Sequence, residues 1–153
     1  MENSILKSFI EATVDTFETM VETTVEHKGS EIYPSKQTTG DLCALIGLSG
    51  DKTGNSVLMF SKDSGCKSAE RFLGEDVSES PEDLNDAIGE LINIIAGQAK
   101  STVTDMKLSI SLPSVMSGDQ FVLSLPKDAE MMICRFSSPD VGDFELLVSI
   151  KNS

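Results

Sequence analysis

Glu90 and Asn93 stand three residues apart in the stretch IGELINIIAGQAK, residues 88–100. They offer different things to a reacting group. A carboxylate pairs with a cation, whereas a carboxamide accepts one hydrogen bond and donates two. Asn93 therefore cannot serve as a general base, because its amide takes no proton at any working pH. It can place a water or a polar group. Asp86 lies four residues before Glu90; Gly97 and Lys100 lie four and seven after Asn93. At about 100° per residue these five positions fall on one side of a helix. Ile94 sits at the edge of that stripe, where it offers an apolar contact. Asparagine and glycine cost a helix interior roughly 0.5 and 1 kcal/mol against alanine, so their presence here calls for a reason. Gly97 supplies one: without a side chain it lets another surface come close to the Asn93 carboxamide.

A stripe like this needs an anchor. On the same wheel Leu84, Ile88, Leu91, Ile92, Ile95, Ala99 and Val103 gather opposite the polar side, which predicts a core-facing helix over 81–104. Ser80 is its N-cap and Pro81 its first helical residue. An earlier helix runs from an Asn3 or Ser4 cap to about Val21, with Ile5, Phe9, Ala12 or Thr13, Phe17 and Met20 at helical spacing. The polar stretch EHKGSEIYPSKQTTG then holds at most one short strand, with His27 exposed in a loop. DLCALIGLSG and NSVLMFSKD form a hairpin across SGDKTGN, and SGCKSAERFLG is a short helix capped by Gly74. After the long helix come four strand-like runs, KLSISLPSV, QFVLSLP, EMMICRFSS and FELLVSIKN. Turns at Gly118–Asp119, Pro126–Asp128 and Pro139–Gly142 separate them. Each half reads as a helix followed by antiparallel strands. That predicts an α+β fold, helices packed on antiparallel β-sheet with an internal pseudo-duplication, in a single domain over 1–153.

Composition narrows the function. Twelve Lys and Arg against 25 Asp and Glu give a net charge of −13, which repels nucleic acid and anionic lipid. The expectation is no nucleic-acid and no membrane partner. No apolar run approaches the roughly 18 residues of a membrane span, and MENSILKSFI lacks the features of a signal peptide. Cys43, Cys66 and Cys134 are odd in number and far apart, which predicts reduced, buried thiols in a cytoplasmic protein. With one histidine, neither a Cys/His metal site nor a Ser–His–Asp triad is expected, and no cofactor of its own. GLSGDKTG lacks the GK[ST] core of a phosphate-binding loop. SGCK and KTG stand in the wrong order for a β-lactamase. The paired Met131-Met132 alternates across a strand, one residue toward the core and one toward an interface.

The spacing Asp86, Glu90, Asn93 and then Pro113, set in the blocks ELINIIAGQAK and SLPSVMSG, resembles the CheC/CheX/FliY phosphatases of bacterial chemotaxis, and most of all the CheX branch. The resemblance spans essentially the whole chain. It implies hydrolysis of the phosphoaspartate of a phosphorylated CheY-type response regulator. The partner would bring the acyl phosphate, its Mg2+ and a lysine. Asn93 would orient the attacking water, a step in which catalysis is mostly positioning and electrostatics. Glu90 would hold the partner's lysine. Asp86 would help dock the partner or orient Lys100, and Pro113 would shape the loop beside the helix. CheC-type members carry a second motif copy on the first helix. Here that place reads Glu11-Ala12-Thr13-Val14, so one active site per chain is expected, in a homodimer formed through sheet strands. The alternative is a non-catalytic module of the same fold that binds a response regulator or a flagellar partner.

Overall fold

The computed structural model describes residues 3–32, 37–124 and 128–151. The long helix α3, Pro81–Thr102, is the central element. The side chain of Ser80 accepts from Asp83 N at 3.3 Å, Pro81 occupies the first turn, and Glu82 and Asp83 oppose the positive end of the helix dipole. The predicted apolar face is buried throughout: Leu84, Ile88, Leu91, Ile92, Ile95, Ala99 and Val103. Burying a side chain of the Leu or Ile kind contributes roughly 1.5–3 kcal/mol. Five such residues outweigh the cost of Asn93 and Gly97 several times over.

The first helix, α1, runs Asn3–Thr16 and passes into a π-helical turn, Phe17–Val21. This wider turn moves the apolar face by about one residue. Val21 is therefore buried, while Met20, expected in the core, is 43% exposed. Helix α2, Lys62–Leu73, starts from a Ser61 cap and ends on Gly74 at φ 73°. It begins earlier than expected, because SKD belongs to the helix rather than to the strand before it.

Among the described residues seven antiparallel strands make one sheet: β1 Glu26–Ile32, β2 Gln37–Gly50, β3 Gly54–Phe60, β4 Leu108–Ile110, β5 Ser114–Ser124, β6 Ala129–Ser138 and β7 Gly142–Lys151. Their order is β1-β6-β7-β3-β2-β4, with β5 also on β2. β7 and β3 meet at the centre, with Val57 opposite Leu147. Each half lends its first strand to the other half's middle strand, β1 to β6 and β4–β5 to β2. That exchange is the predicted pseudo-duplication in three dimensions, with α1 and α3 leading the two halves.

Three expectations need correction. His27 lies in strand β1, exposed, with Nε2 2.8 Å from Ser30 Oγ. Gly118–Asp119 makes no turn. Leu42 pairs with Ser117 and Gly40 with Phe121, so Gly118–Asp119–Gln120 bulge opposite Asp41 and the strand continues. Conversely, KLSISLPSV is not one strand, for it breaks at Ser111–Pro113 between β4 and β5. The expected turn at Pro126–Asp128 lies outside the described residues, apart from Asp128. The Pro139–Gly142 turn closes β6–β7, with Gly142 at φ 86°.

Helices α1, α2 and α3 cover one face of the sheet. Beneath them Phe17 stacks on Phe144 at 4.4 Å between centroids, and Phe136 stacks on Phe144 at 5.3 Å. The opposite face carries a second buried cluster, Cys43, Val57, Met59, Met131, Ile133 and Leu147. Met131 is buried there and Met132, its neighbour in the strand, only half-buried. The three cysteines are free thiols.

Candidate functional site

Glu90 projects into solvent from the outer side of α3, and Asn93 is half-buried one turn further on. Among the described residues neither has a hydrogen-bond or ion-pair partner. Both are polar groups held on a rigid, anchored helix with their bonding capacity unspent. Asp86 and Lys100 are exposed on the same stripe, and Ile94 is half-buried at its edge. A Cβ built at Gly97 meets nothing within 4 Å, so its glycine answers no need inside this chain. Asp86 and Lys100 lie fourteen residues apart, about 21 Å along the helix. The expectation that one orients the other is therefore withdrawn, which leaves docking as the role expected of Asp86.

The stripe runs between two walls. On one side is α1, tied to α3 where Gln98 Nε2 donates to Asp15 Oδ2 at 2.9 Å. On the other is the break between β4 and β5. Gly89 lies one turn before Asn93; a Cβ there would sit 3.1 Å from Val115 Cγ2 and 3.8 Å from Pro113 Cγ. The missing side chain lets the Pro113 segment press onto α3. Pro113 suits the break because it has no N–H to leave unpaired. Ser111 completes it: its N–H donates to Gly47 O at 3.0 Å, and its Oγ accepts from Gly47 N at 2.8 Å. Gly89, Gln98 and Ser111 are the supporting residues that the sequence reading missed. Gly89 carried a visible signal, a second glycine in a helix that could ill spare it. The other two depend on strand register and helix packing.

On α1 the corresponding place holds Glu11, 3.9 Å from Lys7, and Val14, which is packed against the core. Valine offers no hydrogen bond, so α1 has no counterpart of the Glu90–Asn93 pair.

Two cavities lie elsewhere. A cleft of about 630 Å3 opens beside Met59, Arg135 and Glu145, with the Arg135 guanidinium 3.6 Å from Glu145. Burial pushes the Glu145 carboxyl above its ordinary range, and Arg135 partly opposes this. A smaller cleft of about 310 Å3 lies between α2 and the start of α3, lined by Leu42, Cys66, Val77, Leu84 and Asn85. Neither cleft is lined by Glu90 or Asn93. The polar stripe is a projecting surface, shaped to meet another surface rather than to enclose a small molecule. Among the described residues no helix is long and apolar enough to cross a membrane.

Comparison with known proteins agrees with this architecture. No curated protein matches the sequence. The crystal structure of a chemotaxis protein CheX from Desulfovibrio desulfuricans superposes with a TM-score of 0.90 at 26% identity, over 96% of this chain and 99% of that one. A putative chemotaxis protein from Desulfovibrio vulgaris Hildenborough gives 0.89 at 28% identity, over 98% of each. A CheX–CheY–BeF3–Mg2+ complex from Borrelia burgdorferi gives 0.77 at 20% identity, over 96% of this chain and 97% of that one, a likeness of fold. The family model for chemotaxis phosphatase CheX matches residues 42–137, which include α3, the Pro113 break and the strands on either side of them. With more than half of the chain inside that match, and the fold agreeing end to end, the protein belongs to the CheX family of chemotaxis phosphatases.

Proposed function

We propose that the protein hydrolyses the phosphoaspartate of a phosphorylated CheY-type receiver domain, with Asn93 placing the attacking water and Glu90 holding a receiver lysine. The observation that carries this is the unpartnered Glu90–Asn93 pair, one turn apart on an anchored helix and outside both cavities. A substrate that is itself a folded protein brings its own pocket. What it lacks is a water aimed at phosphorus.

In this reading the receiver supplies the aspartyl phosphate, Mg2+ and the lysine. When bound, the Mg2+ neutralises charge on the phosphoryl oxygens. The Asn93 carboxamide holds a water in line with the P–O bond to the aspartate. The water oxygen bonds to phosphorus, the acyl P–O bond breaks, the aspartate carboxylate leaves, and the water's protons pass to inorganic phosphate and solvent. A neutral amide adds no repulsion beside the anion. Gly97 leaves room for the receiver; Ile94 and Asp86 border its footprint, Lys100 lies at the far end, and Pro113 supports the wall. In the Borrelia relative a CheX is bound to CheY with BeF3 and Mg2+, which supports the same pairing here. Free, mostly buried thiols suit the reducing cytoplasm. Strand β1, an edge of the sheet with Ile32 63% exposed, suits a homodimer formed through strands.

The test is phosphate release from a phosphorylated CheY-type receiver domain, with and without the protein. Asn93→Ala should lose roughly 10²–10⁴-fold in kcat while still binding a BeF3-loaded receiver. Wild-type turnover by that variant would refute the mechanism. Binding without any acceleration by the wild-type chain would leave the non-catalytic module as the better account.

A further inference from the structure

We infer that Leu112 is a receiver-contacting residue that sets affinity for the phosphorylated partner; the inference rests on the phosphatase reading above. Leu112 is 87% exposed, more than any other large apolar side chain on the described surface. It is not on a slack loop. The residue before it is bound both ways to Gly47, by Ser111 N to Gly47 O at 3.0 Å and by Gly47 N to Ser111 Oγ at 2.8 Å. Ser111 Oγ also donates to the Leu112 carbonyl at 2.9 Å. The residue after it, Pro113, has a fixed φ and packs over Gly89. The chain thus spends two hydroxyl hydrogen bonds, a proline and a helix glycine on holding one leucine out in water.

Continuity with the catalytic stripe names the occupant. Gly89 is four residues before Asn93 on the same flank of α3. A partner that brings its phosphoaspartate to Asn93 must sit against the wall that Pro113 and Leu112 form. Glu90 and Asn93 are polar and would give such a contact direction. Leu112 gives it apolar area, and covering so exposed a leucine removes apolar surface from water, which favours association.

The test uses the full chain and a CheY-type receiver domain, loaded with BeF3 and Mg2+ for binding and phosphorylated for turnover. Leu112→Ser should weaken binding, and raise KM, by roughly tenfold or more, with the loss falling on KM rather than kcat. Leu112→Met should restore affinity, and thermal unfolding should be unchanged in both. A Leu112→Ser protein that binds within twofold of wild type overturns the inference. So does sedimentation showing that the substitution splits a homodimer while receiver affinity per chain is kept, because a second copy would then be what covers Leu112. A wild-type chain that neither binds nor dephosphorylates any receiver overturns the phosphatase reading, and this contact with it. An active wild type with an indifferent Leu112 overturns the contact alone.

Discussion

Gly97 separates two accounts of the helix at the level of a single residue. If it were there for packing, a side chain would collide with a neighbour, yet a Cβ built there meets nothing within 4 Å. Gly97→Ala should therefore stabilise the fold by about 0.5–1 kcal/mol, the ordinary helix-propensity gain, and Gly97→Leu should be no worse than neutral. Both should lower receiver affinity, the leucine far more, because the added atoms occupy the partner's approach. Urea unfolding and receiver titration on the same samples check this. A leucine variant that binds like wild type would show the gap to be unused. Gly89 is the contrast within the same helix. Its Cβ would press on Val115 at 3.1 Å, so that glycine is explained by packing. The sequence made Glu90 and Asn93 legible because their relation is local, three residues on one helix. It could not tell the two glycines apart, since only the strand opposite Gly89 distinguishes them. Leu112 was opaque for the same reason: leucine in a strand-like run reads as core until the one-residue mismatch between β2 and β4–β5 is known.

Among the elements, α2 does work that the apolar pattern does not reveal. Arg71, in its last turn, donates Nε to Val21 O at 3.0 Å and Nη2 to Glu22 O at 2.7 Å, while Nη2 also lies 3.9 Å from Asp140. It thereby satisfies carbonyls left open where the π-turn ends. Asp140 in turn accepts from Thr23 Oγ1 at 2.7 Å, and Thr23 Oγ1 lies 2.6 Å from Ser138 Oγ. One guanidinium joins the end of the first helix to α2 and to the β6–β7 hairpin. Because Arg71 is partly exposed, Arg71→Ala should cost about 1–2 kcal/mol, a fall in Tm of roughly 2–8 °C in a chain this size. Arg71→Lys should recover little of it, lacking the fork. The kcat on a phosphorylated receiver should be unaffected, since α2 carries no part of the stripe. A calorimetric scan beside the phosphate-release assay decides the matter. Sequence pattern located this helix and its Gly74 cap, which acts within its own turn, but read Ser61-Lys62-Asp63 as strand and so missed the Ser61 cap. It missed the π-turn, which no local propensity marks, and hence put Met20 where Val21 is. It also read Gly118–Asp119 as a turn, because residues that favour turns serve equally in a bulge.

For the whole molecule the exchange of strands between halves leaves a sheet with two buried faces, and the second of them makes stability depend on alkaline pH. Cys43 lies within the cluster of Val57, Met59, Met131, Ile133 and Leu147. Burial pushes its thiol up to about 11 from an ordinary 9.0. Cys134, buried among the residues under the helices, is raised by the same cause, and a hydrogen bond to Ser30 lowers it somewhat. The pattern of helices and strands predicted the layers, and the scattered, odd cysteines predicted buried thiols; Cys43 and Cys134 are buried and Cys66 only half-buried, but which face each thiol enters depends on which strands pair. The unfolded chain begins to lose these protons near pH 9, whereas the folded chain keeps the Cys43 proton to about pH 11. Between those values the unfolded state binds fewer protons, so stability falls as pH rises. The Cys43 contribution is nil below about pH 8 and reaches about 2–3 kcal/mol once the folded thiol also ionises. Denaturant unfolding from pH 8 to 10.5 should therefore show a decline that Cys43→Ala makes shallower. That variant loses some stability at every pH from the vacated volume. Cys134 and Cys66, whose thiols burial also pushes up, would still contribute to the slope. If the wild-type and Cys43→Ala curves stay parallel across this range, Cys43 is already solvated or ionised in the folded state, and the second face of the sheet is not the closed apolar layer described above.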